Sequence, residues 1–353
     1  MVANAPPKVA VEPRIGVEPK IVVEKVSKIF GRDPRDALAR VEAGMGKTQL
    51  MEKTGHVLGL HDISLSIAPG ETFVIMGLSG SGKSTLIRHF NRLIEPTAGS
   101  IRVDGEDILK LGPGPLRDFR RRKMSMVFQR FALLPHKTVL ENVTYGLTIA
   151  GMPKAKADAH GREQIALVGL DGFESRYPGQ LSGGMQQRVG LARALATDAE
   201  IMLMDEAFSA LDPLIRTDMQ ELLKGLQARL HKTIVFITHD LDEALLLGDH
   251  IAILKDGLLR QVGTGADILT RPADDYVARF VRDVNRGRVI TCGSLATPGD
   301  APPGAEVPAD APLEAAFAVL AEGHAQVAVR GADGALVGII DRERLLGALA
   351  RQD

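Results

Sequence analysis

The chain has 353 residues, which at ~150 residues per domain suits two domains and a sizeable buried core. Its 45% hydrophobic and 25% charged residues exclude wholesale disorder, and 43 Lys plus Arg against 44 Asp plus Glu argue against a coat for nucleic acid or anionic membrane. The single Cys292 excludes a disulfide framework and a multi-cysteine zinc site and fits a reducing compartment.

Residues 1–20 carry Pro6, Pro7, Pro13 and Pro19 and read as a flexible leader. They lack the continuous apolar stretch of a signal peptide, and no apolar run in the chain approaches the ~20 residues that span a bilayer. The expectation is a soluble, cytosolic chain. Order is predicted to begin at the β-branched run from Ile21. Between 21 and 287, short apolar strands alternate with longer amphipathic segments, the signature of an α/β domain. An amphipathic insertion follows Phe30. Its Gly46-Lys47-Thr48 ends like a phosphate loop, but Val41 stands where the first glycine is required and no buried strand precedes it. Lys47 is predicted to be solvated.

Thr72–Met76 is apolar without alternation, as in a parallel strand covered on both faces. Gly77-Leu78-Ser79-Gly80-Ser81-Gly82-Lys83-Ser84-Thr85 follows it and leads into the helical stretch LIRHFNRL. This is the phosphate-loop pattern in the strand-to-helix context it requires. The glycines let backbone N–H groups converge on phosphate oxygens, and the helix N-terminus adds partial positive charge. Lys83 is expected at the β- and γ-phosphates of a nucleotide and the Ser84 hydroxyl on Mg²⁺.

Three later features narrow the chemistry. Leu181-Ser182-Gly183-Gly184-Met185-Gln186-Gln187 opens a helix with Ser182 as a good cap, and its two glycines are expected to expose the helix start to an anion. The apolar strand from Ile201 ends in Asp205-Glu206, where Asp205 is expected to hold the Mg²⁺ shell and Glu206 to act as general base toward water. His239 follows the strand TIVFIT, where its side chain could reach a γ-phosphate.

With LSGGMQQ, the phosphate loop, IMLMDE, SALD and His239, residues 21–281 resemble an ABC ATPase. The resemblance implies that Gln129 of VFQRF ligates Mg²⁺ and links its site to a membrane partner. It also implies that Asp212 belongs to a dimer-contacting loop, that His239 is the switch histidine, and that Phe30 stacks on adenine. The insertion after Phe30, with NRLIEPTAG and MVFQRFALLPHKTVLENV, is similar to the glycine betaine/proline (quaternary amine) importer branch. That branch implies ATP and Mg²⁺ as ligands and a head-to-tail dimer in which Ser182 and Gly183 of one copy meet the nucleotide of the other. It further implies membrane permease subunits, a periplasmic or extracellular substrate-binding protein, and a peripheral place on the cytoplasmic face of the inner membrane. A soluble ABC ATPase acting on nucleic acid or ribosomes is the alternative. Such proteins usually have two cassettes or a long coiled-coil insertion, which this chain lacks, so no nucleic-acid partner is expected. The basic run Arg120-Arg121-Arg122-Lys123 reads as a solvated helix face.

Between Gly293 and Leu313, five Pro and three Gly in 21 residues mark a joint. The expected division is therefore a P-loop ABC ATPase domain over 21–287, a linker or remnant of a first CBS module over 288–307, and a small α+β CBS-like module over 308–353. Asp341 and Arg344 stand where adenosine-binding CBS units usually have Thr or Ser, and Asp. From Arg288 onward, five Arg and no Lys face nine Asp plus Glu. Such a tail either senses ionic strength by screened attraction to basic surfaces or repulsion from anionic lipid, or simply keeps a small domain soluble.

Overall fold

The computed structural model describes residues 18–129, 132–282 and 284–349. The leader's residues 1–17 lie outside them, as do Arg130, Phe131, Asp283 and residues 350–353. The described residues form two compact units, one ending at Val262 and one beginning at Gly263.

The first unit opens with β1 (Ile21–Phe30) and continues through α1 (Pro34–Glu42), α2 (Lys47–Thr54), β2 (Val57–Ile67), β3 (Thr72–Met76) and α3 (Lys83–Phe90). Next come β4 (Ala98–Val103), β5 (Glu106–Asp107), α4 (Pro113–Arg122), β6 (Met124–Phe128), α5 (Val139–Ile149), α6 (Lys154–Leu167) and α7 (Gly183–Ala196). It closes with β7 (Ile201–Asp205), α8 (Pro213–Leu230), β8 (Thr233–Thr238), α9 (Leu241–Leu247), β9 (His250–Lys255) and β10 (Leu258–Gly263).

Two sheets organise these elements. One has the order β2-β1-β4-β5 and is antiparallel. The other has the order β10-β9-β3-β8-β7-β6, and β9, β3, β8, β7 and β6 run parallel. Every residue of β3, β7 and β8 is buried, which is why these strands read as unbroken apolar runs. Apolar side chains of both sheets, among them Ile63, Phe73, Ile75, Ile101 and Leu203, share one core with Phe90 of α3.

Register fixes the functional edge. Phe128 pairs with Asp205, Asp205 with Ile237, and Met76 with Thr238. The residues just past these strand ends, Gly77, Gln129, Glu206 and His239, therefore emerge along one rim. The carboxyl ends of parallel strands are where open α/β sheets hold their ligands.

The second unit holds α10 (Gly265–Thr270), α11 (Asp275–Phe280), α12 (Arg286–Val289), α13 (Cys292–Leu295), β11 (Glu306–Pro308), α14 (Leu313–Ala321), β12 (Gln326–Arg330), β13 (Leu336–Asp341) and α15 (Arg342–Leu349). Its sheet has the order β11-β12-β13, with β11 parallel and β13 antiparallel to β12. The expected boundary at 287 falls inside this unit, because α12 packs on α14 and α15. The Pro-rich stretch is tied into the same unit by its backbone. The Cys292 and Gly293 amides donate to the Ala311 and Ala309 carbonyls, and Thr297 and Ile339 exchange hydrogen bonds at 3.0 and 2.8 Å. Pro308, which has no N–H to give, sits on the edge strand, where that loss is tolerated. Asp341 Oδ1 accepts from the Arg344 amide at 2.7 Å, capping the start of α15.

Candidate active site

The phosphate loop begins where β3 ends and closes into α3. Gly77 has φ 147° and Gly82 φ 105°, regions open to glycine but costly for other residues. Space is restrictive too. A Cβ at Gly77 would lie 2.2 Å from the Leu254 carbonyl oxygen, and one at Gly82 2.6 Å from that of Gly59. Leu78, Ser79 and Gly80 form an exposed apex, while Ser81 is buried.

Lys83, only 4% exposed, folds back over this loop and donates to the Gly77 and Leu78 carbonyls at 2.7 and 3.3 Å. Its ammonium is 3.6 Å from Glu206 Oε1. Burial pushes the Lys83 amine down from its ordinary value, and the Glu206 and Asp205 carboxylates oppose that shift. Next to Lys83, the Ser84 hydroxyl donates to Asp205 Oδ1 at 2.9 Å. Thr85, the last motif residue, gives its carbonyl to the buried His89 ring at 2.5 Å.

Across the rim, Asp205 ends β7 and Glu206 turns the chain out of it. Glu206 has φ 47°, a left-handed conformation that costs an L-residue about 1 kcal/mol or more. The Glu206 amide donates to the Ile237 carbonyl, and Ser209 Oγ donates to the Glu206 carbonyl at 2.9 Å, holding that turn. Gln129 Nε2 donates to Glu206 Oε2 at 3.1 Å and to Ser209 Oγ at 3.2 Å.

Phe30 approaches by a different route. A Cβ on Gly59 would meet the Phe30 ring at 2.7 Å, and the Gly59 carbonyl in turn lies against Gly82. The half-exposed ring is thus one residue removed from the phosphate loop, with Lys28 Nζ 5.1 Å from its centroid.

Ser182, Gly183, Asp212 and His239 form no side-chain bond with this cluster among the described residues. Ser182 and Gly183 are exposed, and Ser182 Oγ caps α7 through the Met185 amide at 3.3 Å. Gly184 differs from the expectation of an exposed helix start. It is buried, and a Cβ there would lie 2.3 Å from Ile215 Cγ2, so its missing side chain serves helix packing. Asp212 caps α8 by accepting from the Ile215 amide at 3.1 Å. Arg216 joins this turn to the His239 turn, reaching the Leu211 carbonyl at 3.2 Å and Asp240 Oδ2 at 3.4 Å. The His239 side chain is exposed.

The sequence reading missed several contacts. Arg88 NH2 pairs with Asp205 Oδ2 at 3.1 Å, and Ser209 joins the Gln129–Glu206 pair. Lys47, expected to be solvated, donates instead to the Gly80 carbonyl at 2.9 Å. The folding of the insertion brings it there: its apolar residues bury their own side chains and carry α2 to the loop.

A nucleotide polyphosphate with its metal fits what is present. Ser81 Oγ is buried within the loop without a hydrogen-bond partner among the described residues, an uncompensated polar atom at the site where phosphate oxygens would lie. Ser84 hydroxyl, Asp205 carboxylate and Gln129 amide oxygen are hard oxygen donors of the kind Mg²⁺ takes alongside water and phosphate. No group of three His, Cys, Asp or Glu able to hold a metal by themselves occurs among the described residues.

Residues 60–209 match the family model described as "ABC transporter". The chain is 55% identical over 273 residues, 77% of its length, to the glycine betaine transport ATP-binding protein OpuAA of Bacillus subtilis, and spans 65% of that relative. It is 46% identical over 326 residues to the trimethylamine N-oxide transport system ATP-binding protein TmoW of Ruegeria pomeroyi, covering 92% of this chain and 96% of the relative. Among solved structures, the dimeric ATP-binding cassette MJ0796 bound to ADP and Pi matches with a TM-score of 0.59 at 32% identity, over 69% of this chain and 98% of that one.

Proposed function

The chain belongs to the ABC transporter family of ATP-binding proteins, and we propose that it is the ATP-hydrolysing subunit of an importer for glycine betaine, proline or related quaternary amines. Members of this family bind ATP. The observation that carries the hydrolytic reading is the convergence of Lys83, Ser84 and Gln129 on Asp205 and Glu206 at one sheet rim.

In this reading Lys83 and the loop amides bind the β- and γ-phosphates, and Phe30 packs on the adenine. Ser84, Asp205 and Gln129 would hold Mg²⁺, which when bound supplies positive charge to the phosphate oxygens. Glu206 accepts a proton from the attacking water as its oxygen bonds to the γ-phosphorus. The bond to the β–γ bridging oxygen breaks, and ADP and phosphate leave. His239, at the same rim, contacts the γ-phosphate. Ser182 and Gly183, exposed and unconnected to their own chain's cluster, serve the nucleotide of a second copy in a head-to-tail dimer. The dimeric state of the MJ0796 cassette supports that arrangement. ATP closes the dimer because it binds the closed state more tightly, and the closure drives permease subunits.

No helix among the described residues is long and apolar enough to cross a membrane. From the transport-system relatives the proposal includes separate permease subunits, a periplasmic or extracellular substrate-binding protein, and a peripheral place on the cytoplasmic membrane face. The tail, with the order β11-α14-β12-β13-α15, acts in this reading as a CBS-like regulatory element. Its Asp341 carboxylate is engaged in capping, which argues against an adenosine ligand there.

A second reading, trimethylamine N-oxide as cargo, is favoured by the relative whose length this chain matches almost end to end. The test is uptake of labelled glycine betaine, proline, choline, carnitine and trimethylamine N-oxide by the complex reconstituted with its permease and binding protein. Saturable, ATP-dependent uptake of a betaine supports the first reading, and uptake of the N-oxide alone supports the second. Uptake of neither class sinks both.

A further inference from the structure

The insertion between β1 and β2 reaches the phosphate loop, and its function is not explained by the reading above. Gly44, at φ 98°, turns the chain between α1 and α2. Ala37, Leu38, Val41 and Leu50 pack against Ile29 and Leu58 of the flanking strands, forming a small core. Leu50 is fully buried and lies three residues after Lys47, on the same face of α2. Its burial fixes the roll of the helix and so aims Lys47 at the loop.

The point of contact is the apex. Gly80, at φ 76°, has open space around it, and its neighbour Leu78 is 58% exposed. The Ser81 amide donates to the Leu78 carbonyl at 3.1 Å, Lys83 Nζ reaches the Gly77 and Leu78 carbonyls at 2.7 and 3.3 Å, and the Gly257 amide meets the Ser81 carbonyl at 3.0 Å, so these bonds hold the flanks of the segment rather than the Gly80 carbonyl. Lys47 Nζ adds a charge-assisted bond to the Gly80 carbonyl at 2.9 Å. The ammonium has no carboxylate partner among the described residues. Turning the Gly80 carbonyl outward leaves the loop's N–H groups to face an anion, and an unneutralised cation beside them raises local anion affinity.

We propose that Lys47 is a positioning residue for nucleotide binding: it pins the apex of the phosphate loop from the insertion, so that the loop is shaped before ATP arrives. Ordering the apex beforehand removes part of the entropy that binding would otherwise cost. A charge-assisted, partly exposed bond of this kind is worth about tenfold in affinity. The effect falls on binding rather than on the bond-breaking step, because Lys47 touches neither Glu206 nor Asp205.

This inference rests on the proposed nucleotide site, and one titration separates the two. Full-length wild type, Lys47→Met, Lys47→Arg and Lys83→Ala are titrated with a fluorescent mant-ATP in the presence of Mg²⁺, and steady-state ATPase activity is measured alongside. Lys47→Met is expected to raise Kd and KM about tenfold while kcat falls no more than about twofold. Lys47→Arg should restore most of the affinity, and thermal midpoints without nucleotide should agree among the three. Wild-type affinity in Lys47→Met, a loss confined to kcat, or failure of Lys47→Arg to rescue overturns the role of Lys47. Equal binding by wild type and Lys83→Ala overturns the nucleotide site itself.

Discussion

Gln129 and Glu206, 77 residues apart in sequence, are joined by a hydrogen bond of 3.1 Å from the amide Nε2 to carboxylate Oε2. The bond uses the Gln129 Nε2 rather than its carbonyl oxygen, the atom proposed for a cation, and holds one oxygen of Glu206, while the other faces Lys83 at 3.6 Å. The proposed base is therefore gripped from two sides, by the residue that follows β6 and by the lysine of the phosphate-loop motif.

Replacing Glu206 by Gln removes the proposed proton acceptor but keeps the shape and the Gln129 contact distance. Turnover is expected to fall roughly 10²–10⁴-fold, the usual worth of a general base, with mant-ATP affinity retained. Hydrolysis near the wild-type rate in this variant would assign the base elsewhere.

The Gln129→Glu variant tests the grip itself. It sets two carboxylates within hydrogen-bonding distance, and such a pair holds a proton that one carboxylate alone would release. The acidic limb of the kcat–pH profile should move to higher pH by about one unit. An unmoved limb would mean that the two side chains separate during turnover.

His89 makes stability depend on pH. It lies on the buried face of α3, with its ring bonded to the Thr85 carbonyl one turn earlier, and burial pushes its pKa down from 6.5 to about 4 despite that bond; Lys28 adds to the shift. Above pH 6.5 neither folded nor unfolded chain protonates this ring. Below it the unfolded chain takes up a proton that the folded chain refuses until about pH 4, so stability falls with pH across that window. The loss attributable to His89 reaches about 3 kcal/mol at the acid end. Urea denaturation across the window should give a shallower pH slope for His89→Gln than for wild type. Equal slopes would show that the ring is not the group responsible.

Much of the site could be read from the sequence because its signals are local. The phosphate loop is a contiguous spacing, β3, β7 and β8 are continuous apolar runs, and Asp205-Glu206 follows one of them directly. What could not be read are the contacts that exist only after folding. Lys47 and Gly80 are 33 residues apart, Arg88 and Asp205 are 117 apart, and no periodicity marks either pair. The tail failed in another way. Prolines identify residues that cannot donate a hydrogen bond, yet Cys292, Gly293 and Thr297 just before them and Ala309 and Ala311 among them still pair, and the joint is woven into its unit.

Gly184 gives the most direct test of packing. Its two neighbours in the motif, Ser182 and Gly183, are exposed, whereas Gly184 lies against Ile215, the residue whose amide Asp212 caps. An alanine Cβ would come within 2.3 Å of Ile215 Cγ2, so either α7 or the first turn of α8 has to shift. Overpacking of this kind costs about 1–3 kcal/mol, and the shift would carry the Asp212 cap with it. Gly184→Ala is therefore expected to lower both the denaturation midpoint and ATPase activity. Ile215→Ala removes the obstructing methyl, and the double variant should recover about 1 kcal/mol relative to the sum of the single changes. Additive costs would mean that the alanine is accommodated elsewhere, and that Gly184 and Ile215 do not couple the two helix starts.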